Sequence, residues 1–476
     1  MFNIVKKGKN QIAATVVATA RSFRGKGQMY MKKAIKRIIP VIIVALAAIS
    51  LAGCFNNVNG GSSEKVGETV KPANVAKIVY NVNSSKYSEN VKEANLEDAI
   101  ADVYTSVVYI TNVSSSGTSV GCGVVVDVSV NGESENIVYV YTCYHVISDY
   151  TSLEVIFPNV PTYEDGGETL YDYGNIDYET YIFSTTDKTV GFVGGDFETD
   201  VAVLKVDIEK YMKETVSDGK TVEPITINKA RVTEREYKLG ETVFAIGNPT
   251  GELKGTTTSG VVSYVNQDVT VKDLGELTLL QFDTAINAGN SGGGLFNLYG
   301  ELVGIVNAGS DSYENIGFAI PFKTSTPTRN DGDKDTGFVN IANKLIETAW
   351  NDGDRYNYGY VAGRWSLGLN VSVDSYRRPY VASIPSGSVF ENSAVAKKDY
   401  ISGITYVKDG KTYSASFTET NYTAYTKFEN FYNEMKKNLV AGDEITVVFK
   451  SGAETKKIEV ILQQKIYRDT GMKQAA

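Results

Sequence analysis

After one helical stretch at residues 93–104, the chain breaks into short apolar, β-branched runs. Each is closed off by Gly, Asn, Asp or Ser, and the pattern repeats to about residue 322. Runs of that length make strands, and their close spacing suits barrels better than a sheet wound with crossover helices. The fold class read from this pattern is mostly β. One such run, Val140-Tyr141-Thr142-Cys143-Tyr144, leads into His145 and ends at the polar break Ser148-Asp149. This places an imidazole where a strand gives way to a turn.

His145 is the only histidine in 476 residues. The chain can therefore build at most one site that uses an imidazole as a base. A serine hydroxyl is a poor nucleophile at neutral pH and needs such a base, which in turn needs a carboxylate to fix its tautomer. The serine candidate is Ser291, in Gly289-Asn290-Ser291-Gly292-Gly293-Gly294. The carboxylate candidate is Asp200, which opens the apolar run Val201-Ala202-Val203-Leu204-Lys205-Val206. The glycines permit a tight turn with unusual dihedrals. Such a turn aims the backbone N–H groups of Gly289 and Ser291 at one spot, as an oxyanion hole requires. Taken singly, the glycine run reads equally as a flexible loop, the histidine as structural and the Thr199-Asp200 pair as a turn. Taken together, the chain order His, Asp, Ser differs from the Asp, His, Ser and Ser, Asp, His orders of other serine hydrolases. It is the order of the double β-barrel proteases.

Further motifs follow in sequence: Gly121-Cys122-Gly123-Val124-Val125-Val126, Phe244-Ala245-Ile246-Gly247-Asn248-Pro249, Gly300-Glu301-Leu302-Val303-Gly304-Ile305 and Gly317-Phe318-Ala319-Ile320-Pro321. With these, residues 95–465 resemble an HtrA (DegP-like) serine endopeptidase. The resemblance implies a trypsin-like double β-barrel protease domain of two six-stranded barrels, followed by a PDZ domain (α+β). It implies His145 as general base, Asp200 as its orienter, Ser291 as nucleophile, and Gly289 and Ser291 as oxyanion-hole donors. No cofactor or metal is implied. The residue six before the nucleophile is Ala285; in trypsin-like enzymes this position floors the S1 pocket. An alanine there offers no counter-charge to a basic side chain, so small or medium apolar residues are expected. There are departures from the family pattern: Gly294 replaces a usual proline, Cys143 and Tyr144 precede the histidine, and Cys122 replaces a serine.

The first 53 residues carry ten Lys/Arg and no Asp/Glu. A basic cluster, Met31-Lys32-Lys33-Ala34-Ile35-Lys36-Arg37, precedes an apolar stretch over 38–52. That stretch is shorter than the ~20 residues a spanning helix needs, and the pattern reads as an export signal with an upstream extension. It ends in Leu51-Ala52-Gly53-Cys54, which resembles a bacterial lipobox and implies lipidation of Cys54. The expected location is the bacterial cell envelope, outside the cytoplasm, held to a membrane by that anchor. The remainder has 37 basic residues against 56 acidic ones, a net of −19. With no basic stripe, nucleic acid is not an expected partner. A hairpin of residues 123–129 with 137–143 would set Cys122 opposite Cys143. A disulfide there and two reduced thiols are both compatible with the sequence.

The expected divisions are 1–53 signal with extension, 54–90 flexible tether, 91–323 protease domain, 324–357 linker and helix, and 358–468 PDZ domain. The Tyr- and acid-rich segment 158–189 reads as a solvated insertion. Apolar residues at Phe338, Ile341, Leu345 and Ala349 have helical spacing. In the last module, Arg364-Trp365-Ser366-Leu367-Gly368-Leu369 resembles a carboxylate-binding loop. The amides of Leu367, Gly368 and Leu369 would hold a peptide C-terminus. A helix over 427–437, with Phe428, Phe431, Tyr432 and Met435, would line the groove or fill the core. The functional expectation is an endopeptidase for unfolded or damaged polypeptides, docking their C-termini, and trimeric by resemblance. The alternatives are a PDZ-based chaperone or binding module with latent proteolysis, and a regulatory protease with one dedicated substrate.

Overall fold

The computed structural model describes residues 78–80 and 95–466, apart from 131, 218–219, 272–274, 310–314, 325–335, 352–355 and 420–421. The export signal, Cys54 and most of the expected tether lie outside the described residues.

Helix α1, Leu96–Val103, is capped by Asn95, whose side chain accepts from the Asp98 amide. It leads into a seven-stranded antiparallel sheet. The spatial order is Val190–Asp196, Val201–Asp207, Ile137–Cys143, Gly117–Val126, Val107–Ser114, Tyr150–Asn159, Asp177–Ser184. A second seven-stranded sheet runs Arg231–Val232, Glu301–Gly309, Gly294–Asn297, Thr242–Gly247, Thr256–Val271, Gly275–Phe282, Gly317–Pro321. Glu301–Gly309 also pairs with Gly317–Pro321, so the second sheet's pairings return to Glu301–Gly309. Of the two six-stranded barrels expected, the second sheet closes a ring of six strands with Arg231–Val232 outside it, whereas the first is a curled run of seven; the architecture is mostly β.

The Val124↔Tyr141, Val125↔Val140 and Val126↔Tyr139 register is the one read from the sequence for this hairpin. Its outer part departs from that reading, because Val128–Val130 turns aside to pair with Ile78–Tyr80. Residues 78–80 are therefore a docked strand inside the stretch expected to be a tether. The Tyr80 hydroxyl secures it, bonding the Tyr141 hydroxyl at 2.8 Å and Asn343 Oδ1 at 2.6 Å. Segment 158–189 is ordered as a small hairpin, Thr162–Asp165 with Glu168–Tyr171, and then as the sheet strand Asp177–Ser184.

Helix α2, Tyr144–Ile147, is a single turn that carries His145. Helix α3, Phe338–Thr348, buries Phe338, Ile341, Ala342, Leu345 and Ile346 in the same core as the two sheets. A second core begins at Trp365. There the strands run Asn370–Val373, Pro379–Ser383, Tyr400–Lys408, Glu444–Ser451, Glu454–Ile461, with Lys411–Ser416 beside Tyr400–Lys408. Helix α4, Ala424–Asn438, covers this sheet and commits Phe428, Phe431 and Met435 to the core. Tyr432 stays partly buried, edge-on to Trp365. Among the described residues, no helix is long and apolar enough to cross a membrane.

Candidate active site

His145 sits where the strand Ile137–Cys143 bends into α2, with its ring 38% exposed. Asp200 opens the neighbouring strand and is fully buried. Register explains the meeting, since Val201 pairs with Cys143, and Asp200 and His145 lie just beyond that pair at the same end of the ladder. Asp200 takes a left-handed backbone at φ +59°; aspartate tolerates this better than most residues. The turn lets its carbonyl accept from the Tyr144 amide at 2.9 Å and its Oδ1 accept from the His145 amide at 2.9 Å. Oδ2 then meets His145 Nδ1 at 2.6 Å.

Ser291 enters from the second sheet. The amide of Cys122 donates to the Ser291 carbonyl at 2.8 Å, and the Gly292 amide donates to Val306 at 2.7 Å. These bonds lock the glycine turn between the sheets. The Ser291 hydroxyl donates to the Asn307 carbonyl at 2.9 Å. Among the described residues, it makes no hydrogen bond to His145. The structure thus joins His145 and Asp200 directly, and joins Ser291 to them through Asn307. The buried Asn307 side chain donates to Asp200 Oδ2 at 2.6 Å. The sequence reading missed Asn307. Its position after the apolar run Leu302-Val303-Gly304-Ile305-Val306, at the end of a buried strand, was the available signal.

The His145 pKa is raised above its ordinary 6.5: burial lowers it, but the charge of Asp200 and its hydrogen bond outweigh the burial. A ring so held keeps a proton on Nδ1 and presents Nε2 as the base.

Gly289 has φ +100°, and a Cβ there would lie 2.2 Å from the Asn248 carbonyl oxygen. Among the described residues, no acceptor takes the amides of Gly289 or Ser291. Cys122 donates its thiol to the Gly289 carbonyl at 3.2 Å, and burial pushes its pKa up to about 12. Cys143 donates instead to the Val306 carbonyl at 3.3 Å. Both thiols are free, so of the two states compatible with the sequence the structure holds the reduced one. The cross-strand disulfide is not formed: one sulfur turns to the Gly289 carbonyl in the glycine turn and the other to the Val306 carbonyl in the second sheet. Cys143, His145 and Asp200 lie close enough to share an ion. However, burial, followed by the charge of Asp200, drives the Cys143 pKa well up. Such a thiol is a packed neutral group behind the histidine.

Ala285 is exposed and its carbonyl accepts from Thr258 Oγ1 at 3.1 Å. Beside it, Ile286 is half-buried, and a Cβ on Gly317 would touch it at 3.1 Å. In the C-terminal module, Leu367 is buried in the core and Leu369 packs against it. Gly368 has φ +74°, and its amide donates to Ser366 Oγ at 3.1 Å. The Gly368 amide is thus occupied in this structure.

The profile of the trypsin-like peptidase domain matches residues 121–305, the span that holds all three site residues. The fold and the match define a trypsin-like serine protease. The relatives narrow the class further. The serine protease Do-like HtrA of Bacillus subtilis is 27% identical over 395 residues, covering 77% of this chain and 73% of its own length. A probable periplasmic serine endoprotease DegP-like protein of Halomonas elongata is 37% identical over 156 residues, 31% of this chain and 29% of its own. Serine protease Do-like HtrB of Bacillus subtilis is 29% identical, over 49% of this chain and 46% of its own. The chain therefore spans less than half the length of two of these three. It is a protease related to the HtrA and DegP-like enzymes.

Proposed function

We propose that His145, Asp200 and Ser291 form the catalytic triad of an endopeptidase that cleaves unfolded or damaged polypeptides. The observation that carries this is the 2.6 Å His145–Asp200 bond at the mouth of the glycine turn bearing Ser291. For reaction, the Ser291 hydroxyl turns from the Asn307 carbonyl to Nε2 of His145. It gives up its proton there as Oγ attacks the scissile carbonyl. The amides of Gly289 and Ser291 receive the oxyanion. The imidazolium, steadied by Asp200, then protonates the leaving amine, and water repeats the cycle on the acyl-enzyme. With Ala285 at the pocket, small or medium apolar P1 residues are preferred, the kind exposed when proteins unfold.

The reading extends to the whole chain. An exported protein, anchored through Cys54 outside the cytoplasm, would present the protease to envelope proteins. The C-terminal module would bind peptide C-termini as a PDZ domain, over residues 358–468. A second reading, a binding module with latent proteolysis, draws on the Ser291 hydroxyl resting on Asn307.

A fluorophosphonate probe decides between them. Ser291 is expected to be labelled, with casein cleaved, and both signals lost in Ser291→Ala. Labelling only after addition of an apolar C-terminal peptide would favour the latent protease. No labelling under any condition would overturn the triad.

A further inference from the structure

Asp200 ends a five-residue segment, residues 196–200, made of the last residue of one strand of the first sheet and the four-residue turn to the next. The rest of that segment is gripped by the C-terminal module. Arg364, 3% exposed, sets Nη2 3.5 Å from Asp196 Oδ2 and Nε 3.6 Å from Glu198 Oε2. Lys436, on α4, approaches Glu198 Oε1 at 3.4 Å, and Lys465 approaches it at 3.8 Å. Between the two acids, Phe197 lies under the Lys465 ammonium, 5.9 Å from the ring centre. The other edge of Phe197 meets Tyr144 at 6.0 Å, and Tyr144 is the neighbour of His145. Asp196 also accepts from the Thr199 hydroxyl at 2.7 Å, which stiffens the residue just before Asp200.

Backbone bonds hold the partners on each side: the Gly359 amide donates to Val193 at 2.7 Å just ahead of the module, and the Lys465 amide donates to Arg364 at 2.9 Å, which keeps two of the cations side by side. Three cations from one module thus close on two buried carboxylates of the other. Removing two carboxylates from water is costly unless they are paired. A surface contact between modules needs no such arrangement, whereas a turn that must hold one left-handed residue still gains from it.

We propose that Arg364, Lys436 and Lys465 are positioning residues for the reaction: they clasp the 196–200 segment and so hold Asp200 against His145. This rests on the triad reading above. The C-terminal module is then part of what orders the active site, besides anything it binds.

The single histidine supplies a clean test. In tag-free, full-length protein labelled with 15N-histidine, the imidazole of His145 is one spin system. Its Nδ1–H resonance reports the bond to Asp200. Turnover is measured on a short chromogenic peptide that fills only the cleft. Arg364→Gln is expected to lower kcat about tenfold or more, leave KM unchanged, and shift or broaden the Nδ1–H resonance. Arg364→Lys should recover much of both. Unchanged kcat and resonance in folded Arg364→Gln would overturn the proposal. Should that variant fail to fold, Lys436→Gln with Lys465→Gln, at less buried positions, decides by the same two readouts. If the wild type shows no turnover even with an apolar C-terminal peptide added, the triad reading fails by itself. The resonance still judges the clasp: a change in Arg364→Gln upholds it, and no change overturns it.

Discussion

At the residue scale, the site depends on how many donors converge on Asp200. Three reach its side chain: the His145 amide, His145 Nδ1 and Asn307 Nδ2. Asn307→Ala removes one and leaves a buried carboxylate short of a partner. A hydrogen bond to a charged group contributes on the order of 1.5–3 kcal/mol, so kcat/KM should fall roughly ten- to hundredfold. Steady-state kinetics on a short peptide would check this, and an unchanged rate would remove Asn307 from the site. The proton on His145 gives a second expectation. Its folded pKa is raised above 6.5, burial being outweighed by Asp200. Catalysis needs the neutral ring, so the acid limb of kcat/KM against pH should have its midpoint above 6.5. The linked stability runs the other way. A raised folded pKa contributes stability fully below about 6.5, which is lost as pH rises through the folded value. Titration of the sole imidazole by NMR would give that pKa directly. The meeting of His145 with Asp200 was legible because each sits at a strand end with a known chemical use. Asn307 was not: its contact with Asp200 spans 107 positions, and a polar residue after a buried apolar run is too common a pattern to single it out.

At the element scale, the glycine turn tolerates little change. Gly289→Ala would drive a Cβ into the Asn248 carbonyl and strain a backbone at φ +100°. The turn must shift, and an oxyanion donor shifts with it. Loss of one such donor typically lowers kcat by about 10²–10³, so Gly289→Ala should approach that range while still folding. Gly294 shows why a familiar residue can be wrong in a particular chain. A Cβ there would lie 2.3 Å from the ring of Phe296, so Gly294→Pro, the residue usual in similar proteins, should destabilise this one. The hairpin register from Val124 to Tyr141 could be read from alternation and turn position alone. The strand Ile78–Tyr80 could not, because it is three residues long within a polar stretch and exists only through its partner Val128–Val130. Likewise the helical stripe in α4 was legible as apolar, but only packing shows that Phe428, Phe431 and Met435 face the core rather than a groove.

At the scale of the whole molecule, two cores divide between Val361 and Trp365, and the charged clasp crosses that division. The sequence suggested two modules by motif and composition. It could not show the clasp, because Asp196, Glu198, Arg364, Lys436 and Lys465 look like ordinary surface charges until the fold buries four of their side chains to 14% exposure or less. This geometry sets apart two ways of breaking it. Arg364→Ala leaves Asp196 and Glu198 buried with less compensation, a situation that costs about 3–5 kcal/mol in other proteins. A chain ending at residue 361 exposes the same acids to water, which solvates them. The first core is complete without the second module, so this shorter chain should fold. The single substitution is therefore expected to lower the unfolding midpoint of the protease core more than deletion of the entire module does. Both should lower kcat, since both release the turn that carries Asp200. Thermal unfolding of the two proteins beside the full chain checks the order. If deletion proves the more destabilising, the module supports the protease chiefly through its apolar contacts, and the charges at the junction matter less than their burial implies.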